Sequence, residues 1–198
     1  MLFLRLPLSR LRLLVGPAAL LLLHCGGGAA GGGFTVEPEP RTVAVGEQLP
    51  LTAWPAQDLA GDLEWEVQEP YGGGLRNSVG PATVYFAPPA AGTYHLVLRG
   101  DRTDGRHLKQ AIEIQVLPVP SVEPASAQVV PGGTVTFTAV MKGLPRNTVT
   151  WAVEEANGGE IAEDGRYQAP SRPGTYHVTA VSTLDPQATA RAAVVVAD

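Results

Sequence analysis

Apolar and polar residues alternate in short runs along most of the chain after residue 34. In one clear run, Val135, Phe137 and Ala139 alternate with threonines. A period of two puts successive side chains on opposite faces, as in a β-strand that buries one face. Similar runs cover residues 149–153 and 176–181, and a continuous apolar run covers 192–196. Turn sequences rich in Gly and Pro separate the runs, and no stretch has a convincing 3.6-residue period, so the pattern predicts an all-β protein.

The chain also contains an internal repeat. At an offset of 86 residues, Val36-Glu37-Pro38 matches Val122-Glu123-Pro124. The second copy is then four residues shorter, so that Gly92-Thr93-Tyr94-His95 matches Gly174-Thr175-Tyr176-His177 at an offset of 82. Self-similarity at a fixed period indicates duplication. Six or seven short strands in about 80 residues predict a β-sandwich in each copy.

A basic and then apolar leader opens the chain. Arg5, Arg10 and Arg12 precede an uncharged run over residues 13–23. A bilayer-spanning helix needs about 20 apolar residues, so this run is too short to span and is typical of a signal peptide. We therefore exclude the leader from the fold.

The end of the leader resembles the lipobox of bacterial lipoproteins, in which a cysteine after the cleavage point receives a diacylglycerol. The residues concerned are Leu22-Leu23-His24-Cys25-Gly26. His24 departs from the pattern, because a small residue is usual there. Cys25 is thus the predicted lipidation site; cleavage at Gly28-Ala29-Ala30 by ordinary signal peptidase and an uncleaved leader are the alternatives. By analogy, Gly26 favours the outer membrane of a bacterial cell envelope.

The domain boundaries follow from the leader, the repeat and two prolines. Pro118 and Pro120 lack backbone N–H groups and favour an extended, stiff connector. We predict a signal peptide over residues 1–25, a Gly/Ala tether over 26–34, a first domain over 35–117, a linker over 118–121 and a second domain over 122–198.

The order of turns and strands in the second copy resembles bacterial immunoglobulin-like domains. The residues that carry the resemblance are 131–139, 149–151, 158–159, 165–170 and 174–180. The resemblance implies two tandem immunoglobulin-like β-sandwiches, of the kind found as spacers and adhesive modules in envelope and surface proteins. It specifies architecture far better than activity.

The resemblance also implies structural roles for four aromatic residues. Trp65 and Trp151 correspond to the tryptophan that fills the centre of such a sandwich. Tyr94 and Tyr176 correspond to the tyrosine that bonds back to the chain near a strand corner.

The single cysteine of the chain excludes an intrachain disulfide. Where antibody domains place their bridging cysteines, this chain has Phe137 or Ala139 and Val178. The resemblance therefore implies that hydrophobic contact replaces the covalent link.

Net charge limits the partners. The chain has 14 basic and 19 acidic residues, and the leader holds three of the bases and no acid. An acidic protein without a polybasic run is a poor ligand for nucleic acid or for an anionic membrane surface. We expect no nucleic-acid partner, and we expect membrane attachment through a lipid anchor.

No motif for catalysis, for a cofactor or for zinc is present in the sequence. His95 and His177 are repeat equivalents whose strand parity predicts a surface position. Acidic residues of the first copy leave calcium binding as an alternative to solvated faces. They are Asp58, Asp62, Glu64, Glu66, Asp101 and Asp104. We predict that the protein is not an enzyme and holds no cofactor.

Three aromatic residues of the first copy form a candidate binding patch: Trp54, Tyr71 and Tyr85. Exposed aromatics are common anchors for partners, although packing at an edge or between domains is an alternative. We therefore expect a non-enzymatic cell-envelope lipoprotein that presents two immunoglobulin-like domains for protein or glycan binding, or as a spacer. The alternative is an accessory subunit of a larger envelope or secretion assembly.

Overall fold

The computed structural model describes residues 33–55 and 59–198. Every regular element in these ranges is a β-strand, and no helix there could cross a membrane. The predicted signal peptide, Cys25 and nearly all of the predicted tether lie outside the described residues.

The first half forms an immunoglobulin-like β-sandwich of eight strands. They are β1 (Phe34–Glu37), β2 (Thr42–Ala44), β3 (Gln48–Pro55), β4 (Glu64–Val67), β5 (Gly74–Leu75), β6 (Ala82–Phe86), β7 (Gly92–Asp101) and β8 (His107–Leu117). One sheet has the order β1-β3-β6-β5 and the other β2-β8-β7-β4, with β2 parallel to β8. This is the strand order of an immunoglobulin-type sandwich.

The second half repeats this arrangement. Its strands are β9 (Val119–Glu123), β10 (Ser126–Val129), β11 (Thr134–Thr136), β12 (Thr138–Lys142), β13 (Val149–Val153), β14 (Glu160–Ile161), β15 (Arg166–Gln168), β16 (Gly174–Ser182) and β17 (Thr189–Val196). One sheet has the order β10-β17-β16-β13, and the opposite layer consists of β12-β9 and β11-β15-β14. The predicted all-β fold with two immunoglobulin-like sandwiches is confirmed.

Each half has its own hydrophobic core, and strand parity decides which side chains enter it. On β16, Tyr176, Val178 and Ala180 are buried, whereas His177 and Thr179 between them are half-buried. Strand β17 likewise buries every second residue from Ala190 to Val196. The period of two that the sequence shows is therefore the period of burial.

The structure corrects two predicted boundaries. Phe34 was placed in the tether, but it is buried and begins β1. The linker predicted over 118–121 is reduced to Pro118, because the residues after it form β9 and pair with β12. Strand β9 lies at a sheet edge, where a proline such as Pro120 costs no ladder hydrogen bond.

The two sandwiches meet at the turn after β12. The N–H of Ala91 donates to the carbonyl of Gly143 across a distance of 2.9 Å. A Cβ atom at Gly143 would lie 2.6 Å from a methyl group of Val45, which belongs to the first core. Backbone of the second half is thus packed against the first.

Candidate functional site

The structure contradicts the placement of Tyr85 in a binding patch. Tyr85 is fully buried, and its hydroxyl donates to the carbonyl of Gly72 across 2.6 Å. Its position on β6 points inward, and its repeat equivalent Tyr167 has the same kind of bond to Gly158. Burial raises the pKa of Tyr167 to about 12, with smaller contributions from Tyr176 and Glu155. Both phenols are core groups.

Trp54 and Tyr71 are exposed, by 57% and 97%, but they do not form one patch. Gln48 and Gly74 both pair with Phe86, close to the loop that carries Tyr71. Trp54 lies six residues further along β3, which is about 20 Å at roughly 3.3 Å per residue. The structure therefore separates the two aromatics of the predicted patch. Tyr71 also has a left-handed backbone, with φ of 65°.

The tryptophans Trp65 and Trp151 occupy equivalent strands but different environments. Trp65 is 3% exposed and packs in the first core, and its indole N–H donates to the carbonyl of Gly80 across 2.9 Å. Trp151 is half-buried, and no acceptor for its indole N–H lies among the described residues. The resemblance implied that both would fill a core; Trp65 is buried in the first core, and Trp151 packs against the second core but is only partly buried.

The cause of this difference is the four-residue shortening of the second copy. Between β5 and β6 the first half has a loop that crosses over Trp65 and contacts β4, whose N–H at Trp65 donates to the carbonyl of Ser78. Between β14 and β15 the second half has a tight turn, closed by a hydrogen bond from the N–H of Gly165 to the carbonyl of Ala162. A Cβ atom at Gly165 in this turn would lie 3.3 Å from the Trp151 ring, so the turn touches the ring but leaves it half-buried.

The space left open is a groove of about 790 Å³ beside β13. Its lining combines apolar side chains from both layers with hydroxyl and amide groups. The lining residues are Phe137, Thr138, Ala139, Asn147, Thr148, Val149, Thr150, Trp151, Ile161, Ala162, Glu163 and Asp164. The lining is thus about equally polar and apolar, and the volume lies in the range of about 300–1,000 Å³ that is usual for ligand sites.

The charged side chains of this groove are acidic. Glu163 and Asp164 lie in the turn that forms one wall, and both are exposed. Asp164 accepts a hydrogen bond from the N–H of Arg166 across 3.0 Å, which fixes the turn. The groove therefore favours an uncharged or basic ligand over an acidic one.

Of the other predicted core residues, Phe137 and Tyr176 are buried, and Tyr94 is half-buried against the first core. Phe137 is buried and meets the ring of Tyr167 edge-on, with 6.3 Å between the ring centroids. The hydroxyls of Tyr94 and Tyr176 each donate across 3.0 Å to the carbonyl four residues earlier, at Ala90 and Arg172 respectively.

Both strand histidines are paired with a glutamate, which the sequence reasoning missed. Glu69 accepts the backbone N–H of His95 across 2.8 Å, and its other oxygen lies 2.6 Å from the ring Nδ1. Glu155 and His177 have the same arrangement, with 2.8 and 2.7 Å. The signal was available, because the glutamates and the histidines are each repeat equivalents.

Glu154, Glu155 and His177 are also close enough to one another to be metal ligands. Their contacts within the protein already account for the cluster. Glu154 pairs with Arg191 across 2.7 Å and accepts the hydroxyl of Thr179 across 2.8 Å.

Several of the acidic residues that the sequence offered as possible calcium ligands are paired with basic residues in the structure. Glu66 bonds Arg99 on the neighbouring strand, and an oxygen of Asp101 lies 2.6 Å from the ring Nδ1 of His107. Asp104 lies 3.1 Å from Arg102. Asp58 lies outside the described residues.

Comparison with known proteins gives likeness of structure without a matching family. No family model and no curated protein matches the sequence. The chain is similar to a C-terminal 282-residue fragment of intimin, solved in complex with the intimin-binding domain of the translocated intimin receptor. The identity is 14% and the TM-score 0.47, over 86% of this chain and 65% of that one.

Two further solved structures are similar to it. The insect immune protein hemolin has 15% identity and a TM-score of 0.45, over 86% of this chain and 48% of that one. Invasin, a bacterial integrin-binding protein, has 14% identity and a TM-score of 0.36, over 82% and 38%. The chain spans less than two thirds of each of the three structures. Because every identity is below 25% and every TM-score is below 0.5, these likenesses carry no argument about function.

Proposed function

We propose that the chain is a non-enzymatic lipoprotein of the bacterial cell envelope, anchored through Cys25, whose second sandwich binds a protein partner in the groove beside Trp151. The first sandwich then serves as a spacer between the anchor and the binding module. The observation that carries the proposal is the asymmetry of the two halves. The equivalent tryptophan is buried under a loop in the first half and only half-buried in the second.

The character of the groove supports protein binding. Tryptophan is enriched among the residues that dominate binding energy at protein interfaces, and such residues lie in pockets surrounded by polar groups. Around Trp151 those polar groups are the side chains of Asn147, Thr148 and Thr150. The packing of Gly143 against Val45 supports the spacer role, because it ties the second sandwich to the first.

Site-specific photo-crosslinking in intact cells tests the binding proposal. A photo-reactive amino acid at position 150, on the wall of the groove, is expected to capture a protein of the envelope. The matched control is position 64, the repeat equivalent of 150, which lies on a strand edge already bridged by Val79 of the chain's own loop. Absence of any crosslinked protein from position 150 would overturn the proposal, as would equal capture from both positions.

Metabolic labelling with a fatty acid analogue tests the anchor. The wild-type chain is expected to carry the label, and the Cys25→Ala variant is expected to lose it and to appear in the soluble fraction. Equal labelling of the two proteins would contradict lipidation at Cys25.

A further inference from the structure

We infer that the partner contributes an extended peptide segment, which adds as an antiparallel strand to the open edge of β13. This inference rests on the proposed function and names the chemistry of its ligand. It comes from the first sandwich, where the chain itself supplies such a segment.

In the first half, three residues of the loop between β5 and β6 lie against β4 as a short strand. Val79 lies opposite Glu64 in an antiparallel bridge. The N–H of Trp65 donates to the carbonyl of Ser78, and the N–H of Gly80 donates to the carbonyl of Leu63, each across 2.8 Å. The edge of β4 is thus paired within the chain.

The edge of β13 offers the same backbone groups, and no strand of the described residues pairs with it. The N–H of Thr183 donates to the carbonyl of Thr148, and the N–H of Glu154 donates to the carbonyl of His177. In an antiparallel ladder the direction of these groups alternates from residue to residue. The carbonyl of Val149 and the N–H of Trp151 therefore point away from β16, toward the groove.

These two groups are the repeat equivalents of the Leu63 carbonyl and the Trp65 N–H. An unpaired sheet edge is a template for strand addition, in which main-chain hydrogen bonds supply affinity and side-chain pockets supply specificity. The indole adds a third bond, because the indole N–H of Trp65 already donates to a carbonyl of its covering segment. Trp151 can donate in the same way to an incoming peptide.

The covering segment of the first half also indicates the composition of the ligand. It consists of Ser78, Val79 and Gly80, which are small and uncharged. The equivalent groove is bordered by Glu163 and Asp164. We therefore assign to this site an extended peptide segment of small residues that has no acidic side chains. The residues on either side of this segment are neutral or basic.

The decisive test closes the groove with the chain's own loop. Residues 163–165 are replaced by a copy of residues 77–83, which restores the length of the first half. We expect the emission of Trp151 to move to shorter wavelength, and capture of the partner from position 150 to fall at least ten-fold. Undiminished capture by the folded graft would overturn strand addition while leaving the proposed binding function in place.

A second measurement uses the wild-type lipoprotein in detergent and does not depend on folding of the graft. A synthetic peptide of residues 76–83 is added at millimolar concentration, and amide hydrogen exchange is followed. We expect slower exchange at the backbone N–H of Trp151 and no change at Trp65.

The control is the same peptide methylated on the nitrogen of Gly80, which cannot donate to the Val149 carbonyl. It is expected to lose the protection. Equal effects of the two peptides, or none from either, would contradict the strand geometry. Capture of a second copy of this chain from position 150 would replace the partner protein with self-association and would also overturn the inference.

Discussion

His177 meets Glu155 through both its backbone and its ring, and His95 meets Glu69 in the same way one repeat earlier. Each pair ties the strand that carries the histidine to the loop after the tryptophan strand. Burial opposes ionisation of Glu155, but the hydrogen bonds from the ring and backbone of His177 outweigh it, so the pKa of Glu155 is lower than its ordinary value. The pKa of Glu69 is lowered by the same balance, with the backbone of His95 ahead of its ring.

These pairs predict a loss of stability in acid. A carboxyl group whose pKa is lowered on folding stabilises the folded state above its unfolded pKa, and this stabilisation disappears as the pH falls through the folded value. We expect the urea midpoint of the wild type to fall from about pH 4.5 downward. The Glu69→Gln/Glu155→Gln double variant is expected to show a shallower fall. Chemical unfolding measured between neutral pH and about pH 3 checks this.

The control for the acid prediction is Glu163→Gln, an exposed position in the turn between β14 and β15. This variant is expected to keep the wild-type dependence on pH. If the double variant and the wild type lost stability in parallel, the two pairs would not be responsible.

Replacing each of the two tryptophans by phenylalanine is expected to lower the free energy of unfolding by different amounts. Trp65→Phe removes a hydrogen bond to Gly80 inside the first core, whereas Trp151→Phe removes no bond within the described residues. A net hydrogen bond contributes about 0.5–1.5 kcal/mol, so we expect Trp65→Phe to lower the free energy of unfolding by roughly 1 kcal/mol more. Urea unfolding followed by circular dichroism gives the comparison, and a larger loss for Trp151→Phe would contradict it.

The strand pattern could be predicted from the sequence, and the groove could not. On β16 a period of two separates Val178 and Ala180 from Thr179 between them, and burial follows this period directly. The four-residue shortening was also visible in the repeat. The effect of the shortening on burial depends on which strand the longer loop crosses. That loop brings Ser78 to Trp65, and no local sequence pattern predicts this contact.

Tyr85 is a second residue whose environment could not be predicted from the sequence. Its alignment with Tyr167 at the offset of 82 was a signal that both rings share one role. Whether the role is burial or binding depended on the carbonyl of Gly72, which the loop after β4 brings to the phenol. Residues 119–121 are a further case, because prolines that favour a connector are equally compatible with an edge strand such as β9.

The buried phenols predict a cost for removing their hydroxyl groups. Tyr85→Phe and Tyr167→Phe would leave the carbonyls of Gly72 and Gly158 without a donor in the protein interior. An unsatisfied buried group costs about 1–3 kcal/mol, so we expect each variant to lose stability in that range. Tyr94→Phe is the matched control, because its hydroxyl bond is exposed and should cost less. Thermal unfolding measures the loss of stability of the three variants. Equal losses would mean that burial of the hydrogen bond does not change its contribution to stability.

The contact between the sandwiches at Gly143 predicts that an alanine there has a larger effect than an alanine at Gly132. Both have a left-handed backbone, with φ of 97° and 72°, so an alanine is strained at either position by about 1–2 kcal/mol. A Cβ at Gly132 would meet nothing within 4 Å, whereas one at Gly143 would lie 2.6 Å from Val45 and 3.3 Å from Pro118. Val45 is buried in the first core and has little room to move. Gly143→Ala is therefore expected to destabilise the chain more than Gly132→Ala, and to open the junction.

Urea unfolding measures the first effect, and small-angle scattering of the folded variants measures the second as a larger radius of gyration. Equal midpoints and equal radii for the two variants would show that the contact with Val45 does not hold the sandwiches together.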